Sequence, residues 1–363
     1  MARKKKYTAA LIGTGRIGFT LGFDRKREQP ASHNMALCDN HRIRLVAACD
    51  SDPVKLKYYH RFMRRPQLFS DYSYLFATTK ADIITIAVNE NAHLGASLAA
   101  IRARPRLVIL EKPVALSVEE GLKIFEEAKT LNIPVMINHE RRFAEDYKIA
   151  KEYISKIGTI QTINARLDSS LYVYNPEQEK TGEYSLWHDG THLVDIVSYL
   201  LEDKIGQDVH YDAEDCGDKE VLRNIKITNI QFDDNSKIVR SINVHAQSEK
   251  CPDINLFVTG KSRYFGFEID VIGTEGRIRI GNGIFEFYKR EQSRLYTGFY
   301  SLEKDLNVSK PKKTKYFSNM IKNAVDFLDG KDCLRSSLAN GLRTLRVLED
   351  IKNQIKELNE VPF

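Results

Sequence analysis

The chain has few cysteines and none that pair by spacing. Cys38, Cys49, Cys216, Cys251 and Cys333 are odd in number and widely separated among 363 residues, with no Cys-x-x-Cys. This excludes a disulfide-framed scaffold and a thiol-built metal or redox centre, and reduced thiols in a cytoplasm are expected. Long apolar runs are also missing, and none approaches the roughly 18 residues of a membrane span. The basic start Arg3-Lys4-Lys5-Lys6 leads into a short strand-like run, where a secretion signal needs an apolar region of about 7–15 residues. Nor does one sign of charge dominate. Lys and Arg number 55 against 49 Asp and Glu, a net charge of +6. Much of the excess lies in two short runs, 3–6 and 310–315, neither interleaved with aromatics as a nucleic-acid surface would be. The expectation is a soluble cytoplasmic protein with no nucleic-acid or membrane partner.

What is present is length and alternation. A chain of this size exceeds what one hydrophobic core usually serves, so two domains are expected. From residue 7 to about 140, short apolar runs alternate with helix-like stretches, the pattern of a parallel sheet covered on both faces. The strands fall at Tyr7–Ile12, Arg44–Cys49, Ile83–Val88, Leu107–Leu110 and Val135–Ile137. Before the last of these, Ser117-Val118-Glu119-Glu120 is a capping box that opens a helix carrying Leu122, Phe125 and Ala128. Residues 1–142 therefore read as a doubly wound α/β Rossmann domain. Residues 143–363 read as an α+β domain with an open, largely antiparallel sheet: Thr159–Leu167, Ile225–Phe232, Ile238–Ala246, Phe265–Ile272, Arg277–Ile280 and Phe285–Tyr288 are its strands. Gly273-Thr274-Glu275-Gly276 and Gly281-Asn282-Gly283 are turn chemistry, and helical periodicity returns from Phe317 to Leu358.

Gly13-Thr14-Gly15-Arg16-Ile17-Gly18 follows the first strand directly. In a dinucleotide-binding loop the first glycine allows the tight turn, the second lets backbone approach a pyrophosphate, and the third allows helix and strand to pack closely. Asp50 ends the second strand, where a carboxylate accepts from ribose hydroxyls and repels a 2′-phosphate, so NAD is expected over NADP. Gly18 and Asp50 are 32 residues apart, against about 20 across the whole fingerprint. The surplus is Leu21 to Ser32, an insertion in or just after the first helix. Its Arg25-Lys26-Arg27 is either a solvated loop or a contact to a phosphate.

With Glu111-Lys112-Pro113, the run Asn138-His139-Glu140-Arg141-Arg142-Phe143, Gly190-Thr191-His192-x-x-Asp195 and Gly273-Thr274-Glu275-Gly276-Arg277 in that order, the chain resembles the Gfo/Idh/MocA oxidoreductases over nearly its whole length. That family couples an NAD(P)-binding Rossmann domain to an α/β domain whose open sheet serves dimer or tetramer contacts, and its members mostly oxidise or reduce sugars, cyclitols and nucleotide-linked sugars. The resemblance implies an NAD-dependent oxidoreductase moving a hydride to or from a secondary hydroxyl or ketone of such a substrate. An NAD-dependent glycoside hydrolase with retained cofactor, or a ligand sensor, is the alternative. Lys112 matches the active-site lysine, often followed by a cis proline bond, and His192 the general acid/base. An apolar stripe from Leu193 to Leu201 places His192 in a helix's first turn, where the dipole favours the neutral imidazole that a base needs. The family's usual aspartate four residues earlier is His188 here, with Asp189 adjacent; either Asp189 supplies the carboxylate or His188 bonds the substrate. A His188–His192 pair with Asp195 could hold a metal, but no glutamate follows His188 and Lys112 has no role there, so none is expected. Cofactor contacts are expected from Gly13, Gly15, Arg16, Ile17, Gly18, Asp50, Asn89, His93, Glu111, Lys112 and Arg142. Arg166, Asp168, Tyr172, Tyr174, Tyr184 and Trp187 are candidates for the substrate pocket.

Overall fold

A computed structural model describes residues 6–170, 184–203, 221–233 and 236–360. The chain divides into two compact units. Of the described residues, the first takes 6–144 and 313–345. Its sheet is built from β1 (Tyr7–Ile12), β2 (Ile43–Cys49), β3 (Gln67–Phe69), β4 (Ile83–Ile86), β5 (Leu107–Leu110) and β6 (Val135–Ile137). All pairs are parallel, in the order β3-β2-β1-β4-β5-β6. This is the strand order of a dinucleotide-binding Rossmann fold.

Strands β4 and β5, Ile-Ile-Thr-Ile and Leu-Val-Ile-Leu, are buried at every position. A sheet covered on both faces allows no alternation, which is why these runs are continuously apolar. Leu107 and Ile109 join one apolar layer with Phe317, Met320 and Ile321, while Val108 and Leu110 join another with Ile124, Phe125 and Leu342. Each layer thus draws on residues beyond 312. The helix Tyr316–Leu328 and the start of the helix Leu338–Glu360 belong to this core. The expected division at 142 lies two residues from the observed one, but the reading of 143–363 as one domain is corrected, because Phe317, Met320, Leu338 and Leu342 bury their apolar faces here. The serine half of the capping box forms, Ser117 Oγ accepting from the Glu120 amide at 3.2 Å, while the Glu120 carboxylate reaches one residue further back to Leu116 N at 3.2 Å; the helix Val118–Leu131 ends on Asn132 at φ 53°.

Of the described residues, the second unit takes 145–170, 184–203, 221–233, 236–312 and 346–360. Its strands are β7 (Ile160–Asp168), β8 (Arg223–Asp233), β9 (Ser236–Gln247), β10 (Ile254–Thr259), β11 (Gly266–Gly273), β12 (Gly276–Gly281), β13 (Ile284–Gln292) and β14 (Tyr300–Lys304). They form one sheet in the order β14-β13-β12-β11-β7-β10-β9-β8. Every pairing is antiparallel except β7 with β10. Both expected glycine turns lie between consecutive strands, 273–276 joining β11 to β12 and 281–283 joining β12 to β13. Alternation is clean. Ile163, Ala165 and Leu167 of β7, with Ile269 and Val271 of β11, are buried, whereas Asn164, Arg166, Glu268 and Asp270 between them are not. One face is apolar and the other is a polar surface.

Candidate active site

Strand β1 runs straight into Gly13, which sits at φ +95°. A methyl group there would meet the Ala87 carbonyl oxygen at 2.3 Å, and one on Gly18 would meet the Gly13 carbonyl oxygen at 2.1 Å. At Gly15 a methyl group would meet nothing within 4 Å. The loop is therefore closed by backbone at its two ends and open in the middle, the shape in which main-chain N–H groups can approach a pyrophosphate. Arg16 is exposed beside the opening and Ile17 is half-buried.

The insertion is explicit in the hydrogen bonds. A first helical turn forms at the loop, with Phe19 N donating to Gly15 O at 2.9 Å and Leu21 N to Arg16 O at 2.9 Å. The chain then leaves, and returns at the helix His33–Asp39. There His33 N donates to Ile17 O at 3.1 Å and Asn34 N to Gly18 O at 2.9 Å, a separation of 16 residues where a helix has four. Twelve residues are looped out and the helix resumes as though they were absent, which restores the fingerprint spacing to Asp50. Glu28 pins the excursion by accepting from Thr314 N at 2.7 Å and Lys315 N at 2.6 Å. Arg25, Lys26 and Arg27 remain exposed, with Arg27 3.4 Å from Asp24.

Asp50, just past β2, reaches back to the glycine loop. Its Oδ2 accepts from Thr14 N at 2.8 Å and Thr14 Oγ1 at 3.0 Å, while Oδ1 accepts from Asp52 N at 3.0 Å. An ionised carboxylate offers about four lone-pair sites, so capacity for a ribose hydroxyl is left. The next acidic group is Asp52, and no basic residue follows Asp50 before Lys55.

At the ends of β4 and β5 the remaining residues gather. Lys112 is 8% exposed and its bond to Pro113 is cis, as the resemblance implied. His93, fully buried at the head of the helix His93–Arg102, donates from Nδ1 to Pro113 O at 2.6 Å, and its Nε2 lies 3.2 Å from Val88 O. Burial pushes its pKa below the usual imidazole value, against the pull of both carbonyls. The ring thus ties the end of β4 to the cis turn after β5. Asn89 is exposed beside it. Glu111 does not face outward. Its carboxylate is buried, with Oε1 accepting from His33 Nε2 at 2.5 Å and Asn138 Nδ2 at 2.6 Å. Burial alone would raise this carboxyl, yet the bond and charge of His33, the Asn138 amide and the Lys112 charge outweigh it and hold it below the ordinary carboxylate range. Arg142 departs from expectation as well: it is 1% exposed, with a guanidinium nitrogen 3.5 Å from Arg335 O, and it presents no surface to a ligand.

In the second unit, His192 lies on the helix Gly190–Leu201, but this helix has no free start there. A π-helical turn, Tyr184–Asp189, runs directly into it. The argument that a helix N-terminus keeps His192 neutral is therefore corrected, because the carbonyls and amides of another turn precede it. His188 and His192 are four residues apart on continuous helix, and both are half-buried. Asp189 Oδ2 accepts from Ser169 Oγ at 3.4 Å, just past β7. Among the described residues, no group of three or more His, Cys, Asp or Glu comes together as a metal site would require. Arg166 and Asp168 pair with each other at 2.6 and 2.7 Å, and Ser262 Oγ adds a third bond to Asp168. Trp187 is half-buried; Tyr172, Tyr174 and the Tyr184 side chain lie outside the described residues.

Two residues of this arrangement carried no role in the sequence reading, His33 and Asn138. The missing signal was the insertion itself. With residues 21–32 removed, His33 falls in the first turn after the glycine loop, a position that faces the strand ends.

Residues 7–139 match the model of the Gfo/Idh/MocA oxidoreductase family, NAD-binding Rossmann fold. Among curated relatives, D-glucoside 3-dehydrogenase of Escherichia coli (strain K12) is 23% identical over 198 residues, 53% of this chain and 53% of that protein. The scyllo-inositol 2-dehydrogenase (NADP(+)) IolW of Bacillus subtilis (strain 168) is 26% identical over 127 residues, 33% of this chain and 35% of that protein. The chain thus spans about half or less of the curated relatives it matches. The crystal structure of the WlbA dehydrogenase from Bordetella pertussis, in complex with NADH and UDP-GlcNAcA, superposes with a TM-score of 0.74 at 16% identity, covering 98% of this chain and 96% of that one. That likeness establishes the two-domain fold.

Proposed function

We propose, from an N-terminal domain that belongs to the Gfo/Idh/MocA oxidoreductases, that this chain is an NAD-dependent dehydrogenase acting on a secondary hydroxyl or ketone of a sugar, cyclitol or nucleotide-linked sugar. The observation that carries the reading is the glycine loop, where backbone excludes a side chain at Gly13 and Gly18 and nothing fills the space at Gly15. When bound, nicotinamide supplies the carbon that takes or gives the hydride. The loop amides and the helix turn behind them hold the pyrophosphate. Asp50 accepts from the ribose, and with Asp52 nearby a 2′-phosphate meets two carboxylates, which favours NAD over NADP. Lys112 donates to the substrate oxygen and stabilises the negative charge that grows there as hydride leaves. His192 takes the hydroxyl proton and returns it in the reverse direction. His188 or Asp189 orients that imidazole. The named relatives that act on a glucoside and an inositol support the substrate class. The polar face of the eight-stranded sheet is the surface by which we expect the chain to form a homodimer or homotetramer, and the place of action is the cytoplasm.

The test is a screen of cyclitols, aldoses and nucleotide-linked sugars with NAD and, separately, NADP, read by the reduced-nicotinamide absorbance. Turnover with NAD is expected, falling roughly 10²–10³-fold in kcat for Lys112→Ala and roughly 10²–10⁴-fold for His192→Asn. No absorbance change with any substrate and either cofactor, or full turnover in Lys112→Ala, overturns the reading.

A further inference from the structure

A cluster behind Lys112 has no part in the proposed chemistry and is costly to build. His33 is 0% exposed, Asn138 2% and Glu111 6%, and they come from three separate elements: the helix that resumes after the insertion, the residue after β6 and the residue after β5. The other two converge on one oxygen of the third, Glu111 Oε1. Since that oxygen belongs to an anion, both neighbours must donate, His33 as the Nε2–H form and Asn138 through its amide nitrogen. Their own nitrogens stand 3.5 Å apart, each committed to the carboxylate. The far sides of the two donors are left over: His33 Nδ1 and Asn138 Oδ1 are buried with no hydrogen-bond partner. Burying an anion with two partially satisfied donors is a poor way to stabilise a fold, because well-packed apolar side chains of similar size do at least as well. Such a cluster needs another reason to exist. Its chain neighbour gives one, for Glu111 and Lys112 are consecutive and their charges act on each other.

We propose that His33 and Asn138 are positioning residues for Lys112, acting through Glu111. They hold a carboxylate buried and ionised next to the lysine, so that a fixed anion keeps the amine charged and sets where the strand end presents it. The other titratable groups packed here are His93, which bonds the carbonyl of Pro113 and feels the charge of Glu111, and Glu90, whose charge also acts on His93. The twelve-residue excursion explains how His33 can serve. It leaves the helix after Thr20 and returns it in register at His33, so His33 faces the strand ends without disturbing the glycine loop.

The inference rests on the dehydrogenase reading, and the experiment has one arm that needs no turnover. In that arm Lys112 is labelled with trace acetic anhydride across pH 7 to 11 and the peptide is quantified by mass spectrometry. Glu111→Gln keeps the shape and both contacts but removes the charge, so the labelling midpoint of Lys112 is expected to fall by half a pH unit or more. In the second arm the pH profile of kcat is measured for His33→Ala and Asn138→Ala. With one donor gone, burial raises the Glu111 carboxyl, and kcat is expected to gain an acid limb that wild type lacks, falling at least tenfold across it. KM for NAD should stay within twofold. The limb should vanish in His33→Ala/Glu111→Gln, a result that general loosening of the fold does not produce. His33→Gln, which can still donate, should restore most of kcat if His33→Ala folds poorly. An unchanged labelling midpoint in Glu111→Gln, or kcat profiles parallel to wild type, overturns the proposal. A shifted midpoint in a protein without dehydrogenase turnover supports the cluster and counts against the enzyme reading alone.

Discussion

The strand ends of the first unit and the sheet face of the second treat charge in opposite ways. In the first, Glu111 and His33 meet with side chains 7% and 0% exposed, and His93 is buried between two carbonyls. In the second, charges stand in ladders along the polar face of the sheet: Arg279 bridges Glu268 and Glu286 at 2.6 and 3.1 Å with about a third of each side chain in solvent, and Arg277 pairs with Asp270. A half-exposed pair gains little over water. A buried one is hard to form and harder to break, because removing one partner strands the other. The difference is between charges sealed among buried strand ends and charges left on a sheet surface. The same contrast runs through the backbone, since the glycine loop of the first unit combines positions where a side chain is impossible with one where it is merely unwanted.

That last distinction gives the largest expected effect. Gly18→Ala drives a methyl into the Gly13 carbonyl, and with rigid backbone on both sides the first unit should lose about 3 kcal/mol. Gly15→Ala meets nothing within 4 Å, so stability should change by less than about 1 kcal/mol. Its effect falls on the ligand instead, and the Kd for NAD should rise at least tenfold. Urea unfolding together with NAD titration by fluorescence checks both. Equal losses of stability in the two variants would mean that the open middle of the loop is not a ligand cradle.

Acid offers a second way to pull the units apart. His93 has a folded-state pKa below its unfolded one because burial penalises the imidazolium. Below about pH 6.5 the unfolded chain binds a proton that the native ring refuses, so its contribution is complete above the unfolded value and is lost as pH falls toward the folded one. Amide hydrogen exchange at 107–111 should therefore quicken between pH 7 and 5 beyond the intrinsic trend. His93→Gln should flatten that dependence. The charge ladders of the second unit lack such a group, and exchange in β11 and β12 should follow the intrinsic trend over the same range.

The first unit was the more legible of the two in the sequence. Strands buried on both faces leave uninterrupted apolar runs, and β1, β5 and β6 match the expected limits residue for residue. The three-residue β3 left too short a trace. In the second unit β10 was missed because Ile254–Thr259 is a six-residue run with Leu256, Phe257 and Val258 consecutive, and its parallel pairing with β7 depends on distant chain. The helices after residue 312 were seen, but their allegiance to the first core was not, since periodicity marks an apolar stripe without naming what it packs against. The backbone demands of Gly13 and Gly18 were legible because each is local. The roles of Glu111 and Arg142 were not: both sit in motifs that suggest a ligand, and only packing reveals that their side chains turn inward.

The smallest effect belongs to the ladder. Arg279→Ala removes two bridges at once, yet with about a third of each partner in solvent the loss should be under about 1 kcal/mol and should shrink with added salt. Trp187, the single tryptophan of the chain, lies in the same unit and reports the transition by fluorescence. The value of the measurement is its dependence on protein concentration. If the polar face is covered by a second copy of the chain, as proposed, Arg279 is desolvated in the assembly. Its removal then strands Glu268 and Glu286 in an interface, and the loss grows as the protein is concentrated. A small loss that is the same at every concentration would place this ladder in solvent and leave the homo-oligomer to some other surface.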